Sequence, residues 1–155
     1  MKMISMITAL ALFGAAKGSY DDERTTAFID LDGLQNGQGM LEVDDNTDVT
    51  VVVKENRSTG YSWQITKNDC GSKFELMDDE YVKHPNRSAM NKSNRRSLAG
   101  APGQHKWVFA TPGPDSNHIR GLPCTLNFEY TRPWEKDVAP AKTKELTVVV
   151  GKNEY

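Results

Sequence analysis

No stretch of this chain keeps a helical period for ten residues or more. Its apolar residues come instead in short runs, either β-branched or alternating with polar neighbours, and turn residues separate them. Thr25–Leu31, Met40–Val43, Thr50–Glu55, Tyr61–Thr66, Lys106–Ala110, Leu126–Tyr130 and Glu145–Val150 read as strands. Phe74–Met77 and Tyr81–Val82 read as a weaker strand pair interrupted by Asp78, Asp79 and Glu80. Gly33–Gly39 is a turn, and Thr111–Asp115, with two prolines around a glycine, is a turn or bend. The chain has 155 residues, enough for one domain with a real core, and the pattern predicts an all-β sandwich.

Between the third and fourth strands lies Asn56-Arg57-Ser58-Thr59-Gly60. Asn, Ser and Thr bond their own backbone and Gly turns left-handed, so these five residues predict a self-bonded loop at one end of a sheet. Two further segments share its character. Gly100-Ala101-Pro102-Gly103 precedes the Lys106 strand, and Arg132-Pro133-Trp134 follows the Leu126 strand. Loops at one end of a sandwich cluster, so the three predict one composite edge. Trp134 comes directly after a proline and outside the strand alternation. Such a residue either anchors an interface or folds back over the end of the sandwich.

These three segments resemble the chagasin-type inhibitors of papain-like cysteine peptidases. That family carries, in this order, an Asn-Pro-Thr-Thr-Gly-aromatic loop, a Gly-x-Gly-Gly loop and an Arg-Pro-aromatic loop. Here they stand as Asn56 to Tyr61, with Trp63 two positions on, then Gly100 to Gly103, then Arg132 to Trp134. The resemblance spans roughly residues 25 to 150 and implies an immunoglobulin-like β-sandwich with three functional loops at one end. It implies a reversible inhibitor with no enzymatic activity and no cofactor, acting as a monomer on cathepsin-like peptidases. Ser58 and Thr59 take the cleft-inserting positions, and Asn56, Arg57, Gly60 and Tyr61 complete that loop. Gly100, Ala101, Pro102 and Gly103 run along the enzyme as backbone. Trp134 anchors, Pro133 fixes its approach, and Arg132 braces the loop or reaches an acidic rim. The chain departs from the family pattern at three positions. Arg57 replaces a proline and predicts a looser loop, Ser58 replaces a threonine, and Pro102 removes an amide donor.

Residues Met1 to Gly18 have the form of a secretory signal: Lys2, an apolar stretch from Ile4 to Phe13 too short to span a bilayer, then small residues. The alternative is a buried N-terminal element. Cleavage after Gly18 leaves residues 19–155 as a single domain and moves the formal charge from -2 to -4. The mature protein is then expected in the secretory pathway, secreted or in an endolysosomal or vesicular lumen, with no membrane segment. In that setting Cys70 and Cys124 suggest one disulfide, worth ~4 kcal/mol, against two separate buried thiols. Three sequons begin at Asn56, Asn86 and Asn91. A glycan on Asn56 would stand in the wedge, so Asn56 is expected bare, with Asn86 or Asn91 carrying any glycan.

Charge is uneven along the chain. Acids dominate from Asp21 to Glu55, whereas Val82 to Pro114 contains none and carries Lys83, Arg87, Lys92, Arg95, Arg96 and Lys106. The polar insert from His84 to Ala99 reads as a long loop, either simply solvated or steering the protein toward an acidic enzyme rim. The sequence pI of 5.9 gives no case for nucleic acid. Two rival functions remain. A cysteine paired with His84, His105 or His118 would make a nucleophile, but neither cysteine has a Gly-rich or helix-opening context, and the three histidines match no metal-ligand spacing. A secreted immunoglobulin-like adhesion or carbohydrate-binding module accounts for the strands but not for the three loop motifs.

Overall fold

The structure, a computed structural model, describes residues 23–83 and 103–151. Eight strands form in chain order: β1 (Thr25–Asp30), β2 (Gln38–Val43), β3 (Thr47–Glu55), β4 (Ser62–Asn68), β5 (Glu75–Val82), β6 (Gly103–Ala110), β7 (Pro123–Thr131) and β8 (Lys142–Val150). They make two four-stranded sheets, ordered β1-β3-β6-β5 and β2-β8-β7-β4, packed as an immunoglobulin-like sandwich. The β1–β3 and β2–β8 pairs are parallel and the others antiparallel. One-turn 3-10 helices at Leu31–Gly33 and Gln35–Gly37 carry the chain from β1 in one sheet to β2 in the other.

Alternation along each strand fills the core. Val49, Val51 and Val53 of β3 and Trp107 and Phe109 of β6 face Trp63, Leu126, Phe128, Leu146, Val148 and Val150 of the opposite sheet, all buried. Trp107 meets Phe128 across the sandwich with ring centroids 4.9 Å apart, and Phe74 stacks on Phe109 at 4.4 Å. Each such side chain contributes about 1.5–3 kcal/mol by leaving water. Cys70, just past β4, and Cys124 of β7 are joined by a disulfide with an S–S distance of 2.07 Å, closing a span of 54 residues.

One expectation fails. Asp78, Asp79 and Glu80 do not interrupt the fifth run; Glu75–Val82 is one continuous strand with a register shift between Leu76 and Asp78. The strand lies at the edge of its sheet, where its side chains face water and the ladder to β6 sets the conformation. The acids also find partners, Glu80 on Lys106 and Asp79 on His105.

The topology decides where the connections emerge. Because β3 runs antiparallel to β6 and β4 antiparallel to β7, the ends Glu55, Ser62, Val82, Gly103, Thr131 and Lys142 all lie at one pole. The opposite pole is closed by Arg24, which donates to Asp48 at 2.6 Å, to Asn46 at 3.0 Å and to the carbonyls of Thr47 and Thr111 at 3.1 and 2.8 Å.

Candidate functional site

At the crowded pole, the β3–β4 loop spans the two sheets as a single 3-10 turn, Arg57–Thr59. Asn56 starts it: its Oδ1 accepts the Ser58 amide at 3.1 Å and the Ser58 hydroxyl at 2.5 Å. Thr59 Oγ1 donates to the Asn56 carbonyl at 2.7 Å. Gly60 ends the turn at φ 80 and ψ -8, with its N–H on the Arg57 carbonyl at 3.0 Å. The backbone of Asn56 is pinned from below. Its N–H donates to the Tyr130 hydroxyl, which in turn donates to the Asn56 carbonyl, both at 3.3 Å. Ser58 and Thr59 are exposed, yet their hydroxyls are occupied within the loop. The tip is therefore uncharged, and its polar side-chain atoms are already satisfied.

The β7–β8 connection stands against this loop. The Arg132 Nε donates to the Thr59 carbonyl at 3.2 Å, and Nη1 reaches Glu135 at 3.0 Å. Its guanidinium also lies 4.3 Å from the centre of the Tyr61 ring. Tyr61 stacks on Tyr130 at 5.1 Å, and Tyr130 on Trp63 at 5.0 Å, so the brace runs down into the core. Pro133 is exposed, and Trp134 is 66% exposed. The Trp134 indole is nonetheless seated: a Cβ on Gly60 would overlap its Cη2 and lie 2.9 Å from Cζ2. The ring therefore packs on the loop below and presents its outer side to solvent.

Arg57, which stands where the family pattern has a proline, is held by side-chain contacts. Its Nε donates to Glu55 at 3.0 Å, and its guanidinium lies 4.2 Å over the Tyr81 ring of β5. The side chain is thus drawn down the flank of the loop, away from the tip. Of the second segment, Gly103 opens β6 opposite Glu55, and Tyr81 packs so closely on it that a Cβ would collide with the phenol. Gly100, Ala101, Pro102, the sequons at Asn86 and Asn91, the insert from His84 to Ala99 and the signal from Met1 to Gly18 lie outside the described residues.

Beneath the loop sits a group that the sequence reading passed over. The Glu55 side chain is 0% exposed. Its Oε1 accepts the Trp63 N–H at 2.5 Å, its Oε2 takes Arg57, and His105 Nδ1 lies 3.2 Å away. The other His105 nitrogen is 2.5 Å from Asp79, and the ring stacks on Trp107 at 4.1 Å. Burial pushes the Glu55 carboxyl upward, but hydrogen bonds from His105, the Trp63 amide and Arg57 outweigh it, so its pKa falls below the ordinary 4.5. Burial likewise pushes His105 down, and the two carboxylates reverse this, holding it above the usual 6.5. Strand parity was the available signal: Glu55 continues Val49, Val51 and Val53, and His105 precedes Trp107 and Phe109, both on the inward face.

The site holds no reactive constellation among the described residues. Both cysteines are consumed in the disulfide, so neither offers a thiolate. No helix is long and apolar enough to cross a membrane among the described residues.

The arrangement has relatives among solved structures. The cysteine protease inhibitor EhICP2 from Entamoeba histolytica is similar with a TM-score of 0.59 at 21% identity, covering 83% of this chain and 97% of that one. Amebosin, solved in solution, is similar at 0.53 and 18%, covering 81% and 97%. PbICP-C, solved in complex with falcipain-2, is similar at 0.51 and 14%, covering 80% and 98%. At these identities the likeness is one of fold. No curated protein matches the sequence significantly. The sequence itself is matched over residues 42–148 by the family model described as Chagasin family peptidase inhibitor I42, so this chain belongs to the chagasin family of peptidase inhibitors.

Proposed function

We propose that this chain is a reversible, tight-binding inhibitor of papain-like cysteine peptidases that occludes the catalytic cleft with the Asn56–Gly60 loop. Arg132, Pro133 and Trp134 stand against the loop, and Gly103 opens β6 beside its base, opposite Glu55. The observation that carries this reading is the Trp134 indole seated on Gly60 beside an exposed, uncharged Ser58–Thr59 tip. A tip whose hydroxyls are satisfied internally enters a narrow groove without stripping water from a charge, and a loop held by this many bonds loses little freedom on binding. Trp134 supplies the large rigid apolar surface typical of an interface anchor. Protease–inhibitor contacts bury about 1,600 Å² with little backbone change, which suits a pre-set wedge. Two similar folds agree in direction: EhICP2 is described as a cysteine protease inhibitor, and PbICP-C was solved in complex with falcipain-2.

We place the protein in the lumen of the secretory pathway or outside the cell, on the form of residues 1–18 and on the disulfide, which persists in oxidising compartments. The test is inhibition of papain on a fluorogenic peptide. Competitive, reversible inhibition with one-to-one stoichiometry supports the proposal. Full papain activity in the presence of micromolar folded protein would instead favour an immunoglobulin-like binding module. Hydrolysis of the peptide by this protein alone would refute inhibition without chemistry.

A further inference from the structure

The ionisable groups under the loop form a chain, Arg57, Glu55, His105 and Asp79, whose two middle members are buried. Glu55 is its hinge. It is the last residue of β3, and it accepts the backbone N–H of Trp63, the second residue of β4, so one carboxylate ties together the two strands from which the loop springs. Its remaining capacity goes to Arg57 within the loop and to His105 on β6. Both nitrogens of His105 face carboxylates, at 3.2 Å and 2.5 Å. Only the imidazolium donates from both; a neutral ring must turn a lone pair toward one carboxylate. The two carboxylates differ in freedom. The Asp79 side chain is 52% exposed and can rotate into water, whereas Glu55 cannot leave.

We propose that His105 is a positioning residue for the inhibitory loop: as an imidazolium it fixes the Glu55 carboxylate at the loop's base, so that the hold on the peptidase weakens as His105 loses its proton. This deepens the inhibitory reading and rests on it. The charged and titratable groups around the ring are Glu55 from β3, Asp79 and Tyr81 from β5, and Arg57 from the loop. From the other sheet, Lys144 stands 5.9 Å from the Trp63 ring and donates to the Leu31 carbonyl. With His105 charged, the two carboxylates are matched by two cations. With it neutral, buried Glu55 keeps Arg57 alone, and Arg57 is itself half-exposed. The raised ionisation of His105 agrees with this geometry.

The experiment compares inhibition constants of wild type and His105→Gln against one peptidase from about pH 5 to about pH 9, as a ratio that cancels the enzyme's own titration. The variant is expected roughly three- to tenfold weaker in acid, the ratio approaching one as the wild-type ring deprotonates. Asp79→Asn, at an exposed strand position, keeps the test valid if His105→Gln fails to fold. It should move the wild-type transition to lower pH. In parallel, the amide resonances of Ser58, Thr59 and Gly60 are followed by NMR in the free protein and should titrate with the His105 ring. A ratio flat with pH, an Asp79→Asn profile identical to wild type, or loop amides indifferent to the His105 midpoint would each overturn the proposal. Loop amides that do follow His105 in a protein that inhibits at no pH would uphold the positioning role and refute the inhibitory reading instead.

Discussion

Replacing Gly60 with alanine tests how the wedge is assembled. Gly60 sits at φ 80, where an L side chain costs about 1–2 kcal/mol, offset in part by the ~0.4–1 kcal/mol that alanine gains from a stiffer unfolded chain. Net destabilisation of the free protein from the backbone should therefore be at most about 1.6 kcal/mol. The larger effect is on the anchor. The added Cβ would lie 2.9 Å from Trp134 Cζ2 and closer still to Cη2, while carbon atoms in contact settle at about 3.5–4.0 Å, so the indole must shift by an ångström or more. If Trp134 is an anchor worth ~2–4 kcal/mol, displacing it should cost roughly 1–3 kcal/mol of binding, tenfold to hundredfold in the inhibition constant. The assay is a double-mutant cycle of Gly60→Ala and Trp134→Ala, read as inhibition constants against papain alongside urea unfolding. With the indole removed, Gly60→Ala should cost only its backbone strain, leaving a coupling of ~1 kcal/mol or more. Losses that add within about 0.5 kcal/mol would show that the two residues act independently and would refute the seated-anchor argument.

Trp134→Ala alone should lose ~2–4 kcal/mol of affinity with unfolding unchanged; a loss below about 0.5 kcal/mol would remove it from the contact. Replacing Cys70 and Cys124 together by serine should lower unfolding free energy by up to ~4 kcal/mol, measured by urea titration, while the loop pole keeps its inhibitory capacity. Glu55→Ala leaves His105 and Arg57 without their shared carboxylate and should cost about 3–5 kcal/mol of stability. Stability should also depend on pH from both sides. The contribution of Glu55, whose pKa is lowered, is complete above 4.5 and lost as pH falls through its ionisation. That of His105, whose pKa is raised, is complete below 6.5 and lost as pH rises through its own. Wild-type unfolding should therefore be most resistant between these values, and His105→Gln should flatten the alkaline side alone.

Much of this was legible in the chain because alternation is a local signal. Tyr61, Trp63 and Ile65 occur as an inward-facing set, and the loop before them has the self-bonding residues that close it into a turn. The β5 edge was misread because its acids mimic a break, and only pairing with β6 shows that an edge strand tolerates them. The contacts of Arg57 were hidden for a related reason. A substitution for proline reads as lost stiffness when taken alone, but its compensation, Glu55 and Tyr81, comes from one neighbouring position and one strand distant in sequence. The Glu55–His105–Asp79 chain joins three strands, so no single window of sequence contains it, although the inward parity of two ionisable residues marks the spot. The seat of Trp134 on Gly60 is likewise a contact between separate loops, legible only as two unrelated residues until the fold brings them together.

The central claim is that the Ser58–Thr59 tip fills the catalytic cleft. It is tested most directly by protection of the peptidase's own nucleophile: papain is incubated with excess inhibitor and then with iodoacetamide, and alkylation of the catalytic cysteine is read by mass spectrometry. The account predicts strong protection that is lost in proportion to affinity in Trp134→Ala and recovers its reactivity when the inhibitor is diluted away. Inhibition with the thiol alkylated at its free rate would mean binding elsewhere on the enzyme and would contradict the account.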